Sequence, residues 1–296
     1  MRKIEKLLLL IICCVVLSSL IPMYARADMG PKPSVIIEIE GLKDEVYYGT
    51  LLSERSTNGP LDAMNEADLA AKQNDEEYEI WKAFAEYADK DGFYFLPNIY
   101  PCKGTDSFGW GYYPPSPFKL LLYFPKYDSF VVSDVYEEYA FDSYYKVDLT
   151  GIDIKNVGTD VVVTASQSYK YGKEIVSLML RIVLTILTEL GIARLVGYRE
   201  KKQFRFLILV NVITQVLLNI RLNMIAYHSG SLALAIHYVK LELLVLGIEA
   251  LLYATVLPVI SVKKNKKFSI VVYAFMANLI SFIVGIFLAM MLPAIF

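Results

Sequence analysis

The sequence predicts an α+β protein in two parts: a β-rich, sandwich-like extracytoplasmic domain with a helical insert, then an all-α four-helix transmembrane bundle. Three observations carry this reading. Charge is segregated: residues 28–171 hold 25 Asp and Glu against 12 Lys and Arg, whereas residues 172–296 hold 5 against 13. Net charges of −13 and +8 argue for two environments. Four apolar stretches, near 174–197, 204–226, 232–260 and 268–294, each supply the roughly 20 helical residues that a hydrocarbon core of ~30 Å requires. Residues 34–168 instead carry short β-type runs punctuated by turn residues.

The chain opens with an expected signal peptide over 1–27. Arg2, Lys3 and Lys6 precede the apolar run Leu7–Leu20, and Ala25-Arg26-Ala27 has the small-x-small form of a cleavage site, so the mature chain would start at Asp28. An uncleaved anchor helix is the alternative. Cys13 and Cys14 lie within the signal, which leaves Cys102 alone and makes an internal disulfide impossible. The acidic domain over 28–171 must then be held by its core.

In that domain Val35–Glu40 alternates, Val46–Ser53 forms a second run, and Gly41–Glu45 between them suggests a hairpin. Asn74, followed by Asp75, Glu76 and Glu77, reads as a helix N-terminus with carboxylates at the positive end of the dipole. Ile80, Trp81, Phe84 and Ala88 space as its buried face. Phe118–Phe124 is nearly all apolar, as in a strand covered on both faces; Ser129–Ser133, Glu138–Leu149 and a final strand Val161–Val163 follow. The sum suggests an antiparallel sandwich.

Three local features have sharper readings. Asp89-Lys90-Asp91-Gly92 resembles part of a calcium loop, but aligning Gly92 with the turn glycine puts Tyr87 and Asn98 where carboxylates are required, so a helix-terminating turn is favoured. Trp110, Tyr112 and Tyr113 could form an aromatic patch for sugar or peptide, with ordinary loop packing the blander reading. Cys102 has no placeable basic neighbour and reads as structural.

The four stretches are oriented by their loops. Arg194, Arg199, Lys201, Lys202 and Arg205 lie between the first and second, and Lys263, Lys264, Lys266 and Lys267 between the third and fourth; Tyr227–Ser231 between the second and third has no Lys or Arg. Positive-inside counting puts the basic loops in the cytoplasm. A multi-pass plasma-membrane protein with its N-terminal domain outside is therefore expected.

Polar residues recur along one side of each stretch: Ser177, Arg181, Thr185 and Glu189; Asn211, Gln215, Asn219 and Asn223; Glu242 and Glu249; Asn278, Ser281 and Gly285. Glu189, Asn211, Thr214, Gln215, Glu249 and Asn278 fall in the inner half of the bilayer and predict one intramembrane polar layer, a candidate for binding or coupling. Arg221 and Glu242 form a candidate charge pair in the outer half. Amides and hydroxyls at such depth commonly serve as interhelical glue. For the two acids a proton, cation or partner role weighs as much, because a charge at the bilayer centre costs at least ~2.5–3.5 kcal/mol.

Ala27–Ser34, Asp89–Phe95, Tyr112–Pro125, Tyr139–Tyr145, Thr188-Glu189-Leu190 and Val210–Gln215 resemble an uncharacterised family of bacterial polytopic membrane proteins with a signal peptide and an exported N-terminal domain. The resemblance implies the same architecture and carries no activity. Several function classes find no support. An acidic exported part repels nucleic acid. His228 and His237 do not form His-Glu-x-x-His, and no nucleophile elbow or phosphate loop occurs, so no metal, cofactor or catalytic residue is assigned. The expectation is a non-enzymatic component of a cell-envelope complex, with the lipid bilayer and an envelope protein or a second copy as partners. A small oligomeric transporter or ion-coupled permease using Glu189 and Glu249 is the alternative, and an intramembrane enzyme a third.

Overall fold

The computed structural model describes residues 30–42, 45–103, 106–155, 161–262 and 267–291. The expected signal peptide, and most of the basic loop at 263–267, lie outside them. The protein is mixed α/β, a β-sheet region followed by long apolar helices, and divides into two compact units, one spanning Pro31–Tyr169 and a helical one that continues from Lys170.

The first unit contains β1 (Ser34–Glu40), β2 (Val46–Ser53), β3 (Thr57–Asn58), β4 (Leu61–Asp62), α1 (Glu66–Ala71) and α2 (Tyr78–Glu86). It continues with β5 (Tyr94–Phe95), β6 (Tyr100–Lys103), β7 (Ser107–Trp110) and β8 (Phe118–Phe124). The strands β9 (Ser129–Tyr136), β10 (Asp142–Asp148), β11 (Val161–Val163) and β12 (Ala165–Gln167) complete it. One sheet has the order β12-β10-β1-β7 and the other β11-β9-β8-β2-β5, with β6 also on β2; β3 and β4 pair separately.

The expected hairpin of β1 and β2 does not form. These strands lie in different sheets, and Gly41, at φ +92°, turns the chain from one to the other. A Cβ at Gly41 would lie 2.5 Å from the backbone of Thr150, so only glycine fits there. The pairing is also mixed rather than antiparallel: β1 runs parallel to β10 with Ile37 opposite Tyr145, and β11 parallel to β9 with Val162 opposite Val132. β11 is not the last strand, since β12 follows and joins the other sheet.

Burial explains the arrangement. Val35, Ile37 and Ile39 on one face of β1 meet Tyr47 and Leu51 of β2 and Leu120, Leu122 and Phe124 of β8 in one hydrophobic cluster. Phe108 of β7 comes so close to β2 that a Cβ at Gly49 would lie 2.5 Å from its ring. On their opposite face, β2 and β8 present Leu52, Leu121 and Tyr123 to Phe84 of α2. β8 is therefore buried along its whole length, as its composition predicts. Phe84 stacks on Phe95 at 5.3 Å and meets Tyr123 and Phe130 edge-on. Burying such a ring stabilises by roughly 1.5–3 kcal/mol.

The helices begin elsewhere than the sequence suggests. α2 starts three residues beyond Asp75, whose Oδ1 accepts from the Glu77 N–H, and ends before Ala88. The preceding α1 has the complete capping box: Asn65 Oδ1 accepts from Ala67 and Asp68, and Asp68 Oδ2 accepts from the Asn65 N–H.

Among its described residues the helical unit has α3 (Tyr171–Val196), α4 (Lys201–Ile260) and α5 (Lys267–Met291), three helices long and apolar enough to cross a membrane. α3 ends where Gly197, at φ +102°, lets the Tyr198 N–H reach Ala193 O at 2.9 Å. α4 has 60 residues, and Gly230 within it has non-helical angles, φ 77° and ψ −179°. A straight helix would separate Gln203 from Ser261 by about 87 Å. Instead Gln203 Nε2 donates to Ser261 Oγ at 2.8 Å, and the Val262 N–H donates to Glu200 Oε1 at 3.1 Å. α4 therefore folds back at Gly230. The loop expected over Tyr227–Ser231 is reduced to one break, because a single positive φ redirects the chain and helical bonding resumes at once.

Candidate functional site: a buried polar layer

The polar stripes meet inside the helical unit. Glu189 of α3, Asn211, Thr214 and Gln215 of the first arm of α4, Glu249 of its second arm and Asn278 of α5 are all buried. Apolar packing places them: Ala193, Tyr198, Leu207, Tyr253, Leu257, Tyr273 and Ala277 form one cluster beside the layer. Leu218, Leu222 and Val245 form another between the arms of α4.

Glu249 is fully satisfied. Thr214 Oγ1 donates to its Oε1 at 2.6 Å and Asn278 Nδ2 to its Oε2 at 2.8 Å. Asn211 Nδ2 donates to Leu207 O at 3.0 Å and to the Tyr253 hydroxyl at 2.9 Å. Gln215 accepts from Asn219 through its backbone oxygen at 2.8 Å and its Oε1 at 3.4 Å. Glu189 differs. Its Oε1 receives a long bond from Ser281 Oγ at 3.5 Å, the Asn211 side-chain amide also acts on the carboxyl, and its Oε2 has no hydrogen-bond partner. Gln215 Nε2, Asn211 Oδ1 and Asn278 Oδ1 are buried without partners as well. Among the described residues no ion pair includes Glu189 or Glu249.

Arg221 and Glu242 are not brought together: Arg221 is exposed, and no ion pair joins them among the described residues. Glu242 sits beside Tyr238 and, with Arg181, Thr185, Gln215 and Ser281, lines a cavity of about 320 Å³. Arg221 instead lines a separate apolar pocket, with Leu217 and Leu241 among its walls. Gly285 belongs to the cavity wall, where a Cβ would come within 2.8 Å of the Tyr238 hydroxyl. The sequence stripes contain Arg181, Ser281 and Gly285; that they and Tyr238 share a cavity depends on helix rotation.

In the first unit, Asp89 and Asp91 turn to a lysine, not a metal. Lys119 of β8 donates to Asp89 Oδ1 at 2.8 Å and to Asp91 Oδ2 at 2.5 Å, and Asp89 Oδ2 accepts from the N–H groups of Asp91 and Phe93. Lys119 and Asp89 are buried, whereas Asp91 is half exposed. Desolvation opposes the charge on Lys119, but the two carboxylates outweigh it and hold its pKa above the usual lysine value. The hydrogen bond from Lys119 lowers that of Asp91. Lys119 is the one residue of this set the sequence reading passed over; a lysine inside an otherwise apolar strand is its signal. Among the described residues no group of three His, Cys, Asp or Glu could hold a metal.

Trp110 is core: it is buried, and its Nε1 donates to Tyr112 O at 3.0 Å. Only Tyr112 and Tyr113 of the aromatic set are exposed, edge to face at 4.8 Å, with Lys32 Nζ 5.5 Å from the Tyr113 ring. Cys102 is buried, and burial pushes its thiol up to about 11, so it is held as the unreactive thiol. No protein-family model, curated protein or solved structure matches this chain.

Proposed function

We propose that the protein is a non-enzymatic component of the cell envelope, whose helical unit crosses the plasma membrane four times and whose acidic unit, a two-sheet sandwich, binds a partner outside the cytoplasm. The reading rests chiefly on the division of the chain. Each unit has its own hydrophobic core, and the chain between α3 and α4 is only Gly197–Glu200. So little chain there leaves the first unit as the part with the surface to recognise another molecule. Four passes follow from counting the arms of α4 separately on either side of Gly230. The basic residues near Arg199 and Lys263 then fall on the cytoplasmic side.

The experiment is purification of the tagged full chain from native membranes in mild detergent, beside a version lacking residues 31–169. A stoichiometric protein partner retained by the full chain and lost from the shortened one is the expected result. A homogeneous species carrying only lipid in both preparations would overturn the reading. The topology is tested separately, by whether a membrane-impermeant maleimide reaches Ser229→Cys but not Arg199→Cys in intact cells.

A further inference from the structure

The polar layer is unbalanced in a particular way. Three buried oxygens, Glu189 Oε2, Asn211 Oδ1 and Asn278 Oδ1, are acceptors without a donor, against a single buried donor without an acceptor, Gln215 Nε2. Rotating the amides does not cure this. Asn278 Nδ2 already donates to Glu249 Oε2 and Ala274 O, and Asn211 Nδ2 to Leu207 O, so either flip would set oxygen against oxygen. Each unmet buried acceptor costs about 1–3 kcal/mol. Buried acceptors are normally met by a donor, an ordered water or an ion.

Charge narrows the choice. Of the two carboxyls in the layer, Glu249 has both oxygens engaged and Glu189 has one open. The titratable groups acting on Glu189 are Glu249, Glu242 and Tyr253 of α4 and Tyr273 of α5, all acids. Arg181 lies two turns away on the same helix, about 12 Å along its axis, and is engaged with Tyr238 and Glu174. Among the described residues the layer thus combines one open carboxyl, neutral oxygens in excess of the one spare amide donor at Gln215, and no fixed cation.

We propose that Glu189, the side-chain carbonyls of Asn211 and Asn278 and the hydroxyl of Ser281 form a site for one monovalent cation, entered from the cavity that Gln215 and Ser281 line. One open carboxyl matches one positive charge. An all-oxygen set suits a hard alkali ion and disfavours softer transition metals. Ser281 connects the parts: it lines the 320 Å³ cavity and its Oγ is 3.5 Å from Glu189 Oε1. A proton is the same charge on the same carboxyl, and the test separates the two. The inference does not depend on any partner of the first unit.

The test is modification of the purified full chain by dicyclohexylcarbodiimide, an apolar reagent that adds to protonated buried carboxyls, with the site read by mass spectrometry. Rates are compared in choline, sodium and potassium chloride at one ionic strength and pH. The expected result is labelling of Glu189 in choline that sodium or potassium slows about tenfold once the ion is well above its Kd; the more protective ion is the ligand. Asn211→Val keeps the carboxyl and removes one carbonyl, so it should label at the choline rate in all three salts while its helical circular dichroism is unchanged. Equal wild-type rates in the three salts, whether or not they vary with pH, would overturn the cation site. So would the absence of label at Glu189 in every salt.

Discussion

The two units bury ionisable groups in opposite ways. In the first, Lys119 meets two carboxylates, and Asp89 spends its remaining acceptor capacity on two backbone N–H groups. In the helical unit, Glu249 is satisfied by a hydroxyl and an amide, while Glu189 beside it is left with an open oxygen. A closed set of charges and donors does structural work, because nothing can be added to it. An open set in a dry interior is where a ligand gains most from binding. The contrast marks Lys119 as a fold residue and supports the proposal that Glu189 belongs to a site, although both are charged side chains in apolar elements.

Breaking the closed set should have the largest effect. Lys119→Met leaves the Asp89 carboxylate buried and unpaired, and a loss of about 3–5 kcal/mol is expected in urea unfolding of the first unit. Both tryptophans, Trp81 and Trp110, lie in that unit, so intrinsic fluorescence reports it. Because Lys119 gains affinity for its proton in the fold, its contribution is complete through neutral pH and is lost only as the pH rises past the lysine range.

Next is Glu249→Leu, which removes two interhelical hydrogen bonds, from Thr214 Oγ1 and Asn278 Nδ2, and leaves each donor a backbone oxygen of its own helix. A loss of about 1–3 kcal/mol is expected, read as a lower helical melting midpoint. Glu138 in the first unit is expected to act on the order of 1 kcal/mol, after allowing for its partial exposure. Burial pushes its carboxyl up to about 7, and its Oε1 has no hydrogen-bond partner. The folded form therefore holds a proton that the unfolded chain has released, and stability falls as the pH rises from the ordinary carboxylate range to about 7. Glu138→Gln should flatten that dependence and leave the variant the more stable at higher pH. The smallest effect in the absence of alkali ions is expected of Glu189→Gln, because its open oxygen has no donor to lose and the amide keeps an oxygen for Ser281.

What the sequence made legible follows from the range of each signal. The polar layer was legible because residues three and four apart share a helix face whatever surrounds it, and counting inward from the basic ends gives Glu189, Asn211, Thr214, Gln215, Glu249 and Asn278 a common depth. The separation of Arg221 from Glu242 was not, since equal depth says nothing of which way two helices are turned. Strand β8 was legible from composition, but its parallel-paired neighbours were not: alternation in β1 and β10 reports one buried face and is silent on direction. Lys119 was missed because its partners come from a turn some thirty positions earlier. Asn65 and Asp68, by contrast, form a capping box whose three-residue spacing is readable in the sequence.

The most direct test of the contrast is the helical melting midpoint of the full chain, followed by far-ultraviolet circular dichroism in choline, sodium and potassium chloride at equal ionic strength. The account requires that sodium or potassium raise the midpoint of the wild type and leave that of Glu189→Gln unmoved. A wild-type midpoint identical in the three salts, or a shift that Glu189→Gln retains in full, would contradict it.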